Sequence, residues 1–277
     1  MAPTHDVRCF IILSGLPRSL RWTERNILRH VILPFRSAAK QVSVVAHFNL
    51  PAVVDNPRSL EHSIPLPVPD LRAIAPDISM IERQSEGHVA AKLLAFRSHK
   101  LIGADDDRSK VNLLQSYYSL QSAWWLAERA GVEPGDVIIF IRPDLDYIDP
   151  WSPGELIARI LDRGEDLICP SWHQFGGLND RMAVASYSGA KLYTRRWDFV
   201  ERIAEEGVPL SSEQILARCA AIESLDVGSF AARGLRVRAD GRTLHEFEGP
   251  HGSLALKLRL KLRPWSNSLM LPRWATP

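Results

Sequence analysis

The sequence predicts an α/β fold in which a mixed, mainly parallel central sheet is flanked by helices. Mostly apolar runs at 8–13 and 41–48 and a continuous run of β-branched and aromatic residues at 137–141 are typical of buried strands. A helical pattern separates the first two runs, and a longer helical pattern precedes the third. Because strand, helix and parallel strand form a right-handed unit, the turns after these strands are expected at one edge of the sheet.

Composition is that of an ordinary globular protein. The chain has 277 residues, 45% of them hydrophobic, and a formal net charge of +2, so it can bury one large core and gives no argument for a nucleic-acid partner. Cys9, Cys169 and Cys219 lack metal-finger spacing, which argues against a disulfide framework and fits a reducing cytosol. No window approaches about 18 uninterrupted apolar residues, so we expect neither a membrane span nor a secretion signal.

The first half of the chain gives the clearest elements. A turn at residues 14–19 follows the first strand, and a helix from Trp22 to about Phe35 leads to the second. The density of prolines between Pro51 and Pro76 forbids a continuous helix or a central strand and predicts a long surface excursion. Acidic residues at 105–107, followed by an apolar stripe, predict the longest helix.

The second half predicts shorter elements and a separate tail. After residue 146 we expect helices over 154–162, 189–206 and 212–222, and a strand over 166–170. A late hairpin is predicted at the Asp240-Gly241 turn. One domain is predicted over residues 1–252, with a basic and apolar extension over 253–277. Leucines alternate with cations in that extension, which is typical of an edge strand or, alternatively, of a segment on an acidic membrane surface.

The third strand ends in Arg142-Pro143-Asp144-Leu145-Asp146. Two carboxylates at the carboxyl end of a buried parallel strand would lie in the crevice where such sheets bind ligands. Mg²⁺ and Mn²⁺ are held through one or two carboxylates, with phosphate oxygens and water completing the shell. The Asp-x-Asp pair therefore predicts a metal that holds a diphosphate, and the alternative is a solvated turn.

Several short motifs occur in an order that resembles a known enzyme family. They are a strand leading into Ser-Gly-x-x-Arg, a helix with Asn112 to Tyr118, the Arg-Pro-Asp-Leu-Asp strand end, a Gly-Gly-Leu-Asn-Asp loop, and Pro-Leu-Ser-Ser-Glu before a helix. The order is similar to that of bacterial glycosyltransferases with the GT-A fold, particularly those of surface-polysaccharide and lipopolysaccharide assembly. The resemblance covers about residues 8–223.

The resemblance implies a Rossmann-like catalytic domain with a nucleotide-sugar donor and a saccharide or lipid-linked saccharide acceptor. It implies Mn²⁺ or Mg²⁺ as cofactor and a cytoplasmic enzyme, with peripheral membrane contact through the extension. The residues it matches to donor binding are Ser14, Gly15, Arg18, Asn112, Tyr117, Arg142, Asp144, Gly177 and Asn179. The implied metal ligands are Asp144, Asp146 and, more loosely, His245, and the candidates for the base are Asp180 and Glu213.

Each role has a structural alternative. Arg18 would be a helix-entry residue, Arg142 an ion-pair partner and Tyr117 a core residue. Asp180 would cap a helix and Glu213 would be a first-turn charge favoured by the helix dipole. The chain also lacks the Glu-Asp pair of the common inverting members, which leaves the base and the stereochemical outcome open.

Two other functions stay open. Residues 14–19, Ser-Gly-Leu-Pro-Arg-Ser, are similar to the loop that binds phosphosulfate in PAPS-dependent sulfotransferases, which need no metal. Leu20, Arg21 and Trp22 replace the small hydroxyl residues expected at that helix N-terminus. A non-catalytic module that binds nucleotide sugars is the other alternative, because fold analogy alone does not establish activity.

Overall fold

The computed structural model describes residues 5–56, 61–102, 106–207 and 211–243. The predicted C-terminal extension and His245 lie outside these residues. The strands are β1 His5–Gly15, β2 Ala39–Leu50, β3 Val53–Asn56, β4 Glu61–Pro65, β5 Ile78–Arg83, β6 Val137–Ile141, β7 Leu145–Tyr147, β8 Leu167–Pro170, β9 Ala183–Ala185, β10 Val227–Phe230 and β11 Gly234–Arg236. The α-helices are α1 Leu20–Ile27, α2 Leu33–Ala38, α3 Ala90–Phe96, α4 Asp107–Arg129, α5 Pro153–Leu161, α6 Tyr187–Thr194, α7 Arg196–Glu206 and α8 Ser212–Ile222.

A seven-stranded sheet in the order β10-β8-β9-β6-β1-β2-β5 forms the centre of the fold. All pairs are parallel except those of β9, which runs antiparallel to both β6 and β8. The predicted α/β fold class is therefore confirmed: a mixed, mainly parallel central sheet flanked by helices. Leu13 lies opposite both Ala46 of β2 and Ile141 of β6, so the three central strands end at one edge.

The central strands are buried on both faces, as their continuous apolar sequences predict. Phe10 and Ile12 pack with Leu114 of α4 on one face. Ile11 and Leu13 belong to a second cluster on the other face. The period-two alternation of β1 therefore divides its side chains between two hydrophobic layers, which fixes the sheet between its helices.

The structure differs from the predicted elements mainly where segments are short. The helix predicted from Trp22 to Phe35 is α1 and α2 joined by a π-helical turn at Leu28–Ile32. The helix predicted over 189–206 is two helices, α6 and α7, because the chain leaves helical geometry at Arg195. Strands β5, β9 and β10 were not predicted, since three to six residues give too little periodicity to distinguish a strand.

The proline-rich segment begins with a hairpin that was not predicted, but its two strands lie outside the main sheet, as the density of prolines predicted. Strands β3 and β4 pair only with each other. The late turn is also present, since Gly241 N donates to Arg238 O at 2.9 Å, and β11 pairs with β7 in another two-stranded sheet. All three cysteines are buried free thiols. Within the described ranges, no helix has both the length and the apolar character required to cross a bilayer.

Candidate functional site

A cavity of about 400 Å³ lies at the carboxyl edge of β1, β2 and β6. Helix α4 and the β3–β4 hairpin contribute its walls, and the loop before β9 contributes Asp180 and Arg181. We call this cavity the edge pocket. The predicted site residues that line it are Ser14, Gly15, Arg18, Asn112, Arg142, Asp144 and Asp180. Residues far apart in the sequence thus meet where ligands of parallel sheets bind.

The turn after β1 is held against α4. Gly15 has a φ of +107°, a conformation that side chains rarely adopt, so glycine is needed for the turn itself. Its N–H donates to Ser119 Oγ at 2.8 Å. Ser119 Oγ in turn donates to His47 O on β2 at 3.0 Å and lies 2.9 Å from His47 Nδ1. The first strand, second strand and long helix therefore share one buried polar junction at the pocket.

Asp144 is the most enclosed carboxylate of the pocket, with a side chain only 2% exposed. Arg142 donates to it twice, from Nε to Oδ1 at 2.8 Å and from Nη2 to Oδ2 at 2.9 Å. Arg18 Nη2 donates to Oδ2 at 2.8 Å. Burial by itself would raise the pKa of Asp144, but the charges of Arg142 and Arg18 outweigh it and hold the pKa well below its usual range. Asp144 is thus an ionised partner of two guanidinium groups.

Arg18 connects this pair to the hairpin. Its Nη1 donates to Glu61 Oε2 at 3.0 Å, and Glu61, on β4, has no exposed surface. Ala239 N donates to the other oxygen, Oε1, at 2.9 Å. A buried carboxylate is tolerated only where such partners satisfy it. Arg18 is therefore more than a helix-entry residue, because its guanidinium links Glu61 of the hairpin to Asp144 at the pocket.

Asp146 does not join Asp144. It lies on β7, opposite Leu235 of β11, and does not line the edge pocket. Burial raises the pKa of Asp146 and outweighs the charge of His30, in the π-helical turn, which lowers it. Among the residues that the structure describes, no three or more His, Cys, Asp or Glu side chains form a group able to hold a metal ion. The described donor set does not fit the predicted Asp-x-Asp metal site, and His245 lies outside it.

Asp180 is a second carboxylate at the pocket, with a side chain that is 16% exposed. Its Oδ2 accepts from Arg196 Nη1 at 3.1 Å and from Ser212 Oγ. Burial alone would raise its pKa, but Arg196 and the Ser212 hydrogen bond hold the pKa below its ordinary value. The Arg196 guanidinium lies 4.8 Å from the centre of the Tyr117 ring. Tyr117 is 1% exposed and does not line the pocket, so it packs in the core and against Arg196.

The Gly-Gly-Leu-Asn-Asp loop packs against the backbone of α8, whereas its sequence predicted a close approach to a ligand. A Cβ on Gly177 would lie 2.1 Å from Glu213 O, so the close approach that requires glycine is to the backbone of α8. Asn179 is buried and holds the loop, donating to Trp172 O at 2.6 Å and accepting from Arg181 N at 2.9 Å. Neither Gly177 nor Asn179 lines the pocket. Their positions make them structural residues of the loop.

Glu213 occupies the first turn of α8, beside a capping box. Ser211 accepts from Gln214 N, and the Gln214 side chain accepts from Ser211 N at 2.8 Å. Burial and the charge of Asp180 raise the pKa of Glu213. Glu213 does not line the edge pocket, which favours its first-turn alternative over a catalytic role.

Most of the cations of the pocket were not predicted from the sequence. Six arginines line it against four carboxylates, which leaves a formal excess of two positive charges. Beside Arg18 and Arg142, these arginines are Arg108, Arg181, Arg196 and Arg236. Only Arg181 had a usable sequence signal, because it follows Asp180 directly in the loop motif. Arginines on helices and on short strands ordinarily face solvent, so their convergence depends on the tertiary fold.

Comparisons with known proteins give only a distant structural likeness. No family model matches this sequence, and no curated protein is significantly similar to it. Solved structures with a similar arrangement include mouse xyloside xylosyltransferase 1 in its apo form. That structure is 12% identical, with a TM-score of 0.39, over 82% of this chain and 85% of the mouse chain.

Proposed function

We propose that this protein is a glycosyltransferase that moves a sugar from a nucleotide-sugar donor to a saccharide or glycolipid acceptor. The observation that carries the proposal is convergence. Gly15, Asn112, Arg142 and Asp180 come from four of the separated motifs that resemble the family, and all of them line one pocket. That pocket lies at the sheet edge where nucleotide ligands of parallel sheets bind, and it is formally cationic.

The residues of the pocket suit the chemistry of sugar transfer. Departure of a nucleoside diphosphate concentrates negative charge on the leaving oxygens, and guanidinium groups stabilise such charge through paired hydrogen bonds. Asn112 and Ser116 lie one helical turn apart on α4 and offer hydrogen bonds from the opposite wall. Asp180 is an ionised carboxylate at the pocket, and we assign it the role of the base that takes the proton from the acceptor hydroxyl. Glu213 is the second candidate for this role.

Sulfotransfer is the second candidate function, because residues 14–18 do border the pocket. A phosphosulfate loop needs the backbone N–H groups of the following helix to face the ligand. Ser19 and Leu20, at the start of α1, are fully or almost fully buried and do not line the pocket. The position of that helix start favours glycosyl transfer.

The test is thermal unfolding with UDP, GDP, TDP, CMP and adenosine 3′,5′-bisphosphate, all in the presence of Mn²⁺. A ligand that binds only the native state at about 100 times its Kd adds about 2.7 kcal/mol of stability. We expect one nucleoside diphosphate to raise the Tm. A stabilisation by the bisphosphate alone would instead establish the sulfotransferase alternative.

Matched variants locate the binding. Ser116→Tyr fills the pocket from an exposed position on α4 and should abolish the shift. Arg129→Tyr, at the far end of the same helix and outside the pocket, should preserve it. Release of nucleotide from the matching nucleotide sugar then distinguishes an enzyme from a non-catalytic module, which would bind without turnover.

A further inference from the structure

The acidic pair predicted to hold a metal is not available as a pair. All the hydrogen bonds to the Asp144 carboxylate come from guanidinium groups, two from Arg142 and one from Arg18. Asp146 lies on a different two-stranded sheet, away from the pocket lining. The guanidinium groups of Arg142 and Arg18 already lie at hydrogen-bond distance from the Asp144 oxygens. A divalent cation at the same oxygens would be repelled by both positive charges. The described residues thus place positive charge where the Asp-x-Asp pattern predicts a metal.

The same region carries more arginines than its acids require. The charges of Arg142, Arg18 and Arg236 act on Asp144. The charges of Arg196, Arg142 and Arg181 act on Asp180, so Arg142 serves both acids. Five arginines thus act on these two carboxylates, and Glu61 balances the charge of one of them, Arg18. A diphosphate diester at neutral pH carries two negative charges and is complementary to this region.

The hydrogen bonds of Arg18 are largely made within the protein. Its two terminal nitrogens are bound to Glu61 and Asp144, whereas its buried Nε has no acceptor among the described residues. Arg18 is 8% exposed and lines the pocket. Because this Nε has almost no accessible surface, Arg18 would act on a ligand through its charge and not through this donor.

From these observations we propose that the arginines of the edge pocket, centred on Arg142 and Arg18, hold the diphosphate of the donor in place of a divalent metal. This inference rests on the proposed function and specifies how the donor is bound. Arg142 is the most suitable anchor for a variant, because its side chain is 39% exposed whereas that of Arg18 is 7% exposed.

Isothermal titration of UDP and of GDP, each in EDTA and then in excess Mn²⁺, tests the inference. We expect the nucleotide that binds to have a Kd in EDTA within about threefold of its Kd in Mn²⁺. Arg142→Gln should weaken binding by about tenfold or more in both conditions, because charge-assisted hydrogen bonds to phosphate are lost. Asp146→Asn, the matched control, should leave both Kd values unchanged.

The outcomes separate this inference from the function beneath it. Binding that disappears in EDTA, returns with Mn²⁺ and is lost in Asp146→Asn would overturn the arginine site and leave the glycosyltransferase proposal standing. Absence of binding by UDP and GDP in both conditions, together with no Tm shift from TDP or CMP, would overturn the proposed function together with the inference. If Arg142→Gln does not fold, the wild type and Asp146→Asn still decide between metal and arginine.

Discussion

Replacing Asp144 by asparagine tests whether this acid is a partner of arginines or a metal ligand. The substitution keeps the shape of the side chain, removes its charge and turns one oxygen acceptor into a donor that faces guanidinium N–H groups. Removing one partner of a buried ion pair costs about 3–5 kcal/mol. Arg18 retains Glu61 at 3.0 Å, and Arg142 is 39% exposed and can be hydrated. We therefore expect the lower end, about 3 kcal/mol, as the loss in free energy of unfolding.

Equilibrium unfolding in urea with EDTA present, followed by tryptophan fluorescence, measures this loss. The matched control is Asp149→Asn, whose carboxylate pairs with Arg233 at the surface, with side chains 29% and 45% exposed. Exposed pairs contribute about 0–1 kcal/mol, so this variant should stay close to the wild type. An equal m-value in all three proteins would show that only stability, and not the compactness of either state, has changed.

The sign of the effect decides between the two roles. A carboxylate kept for a cation is repelled by its acidic neighbours when the metal is removed, so its amide would be as stable as the wild type or more stable. An Asp144→Asn variant with native circular dichroism and an undiminished free energy of unfolding in EDTA would refute the arginine-partner assignment.

Three further predictions follow from the site and the packing. Asp180→Asn should lower kcat by about 10²–10⁴ while donor Kd stays within a few-fold, and Glu213→Gln should stay near the wild type; the reverse pattern, with the loss in Glu213→Gln alone, would place the base at the start of α8. Gly177→Ala would put a Cβ 2.1 Å from a backbone oxygen and should cost at least about 3 kcal/mol in urea unfolding, whereas Gly154→Ala, whose Cβ finds its nearest neighbour at 3.6 Å, should cost nothing. Because the folded pKa of Asp144 is depressed, its stabilisation is present above about pH 4 and is lost as the pH falls through the folded pKa; Asp144→Asn should therefore lose less stability than the wild type between about pH 6 and pH 3, and parallel profiles would contradict this.

The sheet edge was predictable because the information for it is local. Residues 8–13 and 41–48 are mostly apolar segments of strand length, residues 137–141 are entirely apolar, and parallel strands place their following turns together. That reasoning brought Gly15, Arg142 and Asp144 to one site, where the structure has them. The partners of these residues were not predictable in the same way. Glu61 reaches Arg18 from a hairpin 43 residues later, and nothing in either segment specifies that pair.

The Asp-x-Asp expectation placed both acids together in the crevice at the end of the third predicted strand. Strand β6 ends at Ile141, and Pro143, which has no N–H and a fixed φ, separates it from β7. Asp144 therefore belongs to the intervening turn, while Asp146 belongs to a strand that pairs with β11. Alternation along a strand puts residues two apart on one face, but the rule does not extend across a break of this kind.

Arg142, two positions before Asp144, determines what the Asp144 carboxylate can bind. In Arg-Pro-Asp the turn brings Arg142 Nε and Nη2 to 2.8 and 2.9 Å from the two oxygens of Asp144, a bidentate pair closed within three residues. A divalent cation bound to the same carboxylate would lie about 4 Å from that guanidinium, where the repulsion is about 8 kcal/mol at an effective dielectric constant of about 20. Metal binding would have to displace Arg142 to avoid this repulsion, whereas a diphosphate is attracted by the same charge. The arginine that makes Asp144 a poor metal ligand therefore makes the turn a better anion site, and Arg142→Gln is the variant in which both effects should disappear together.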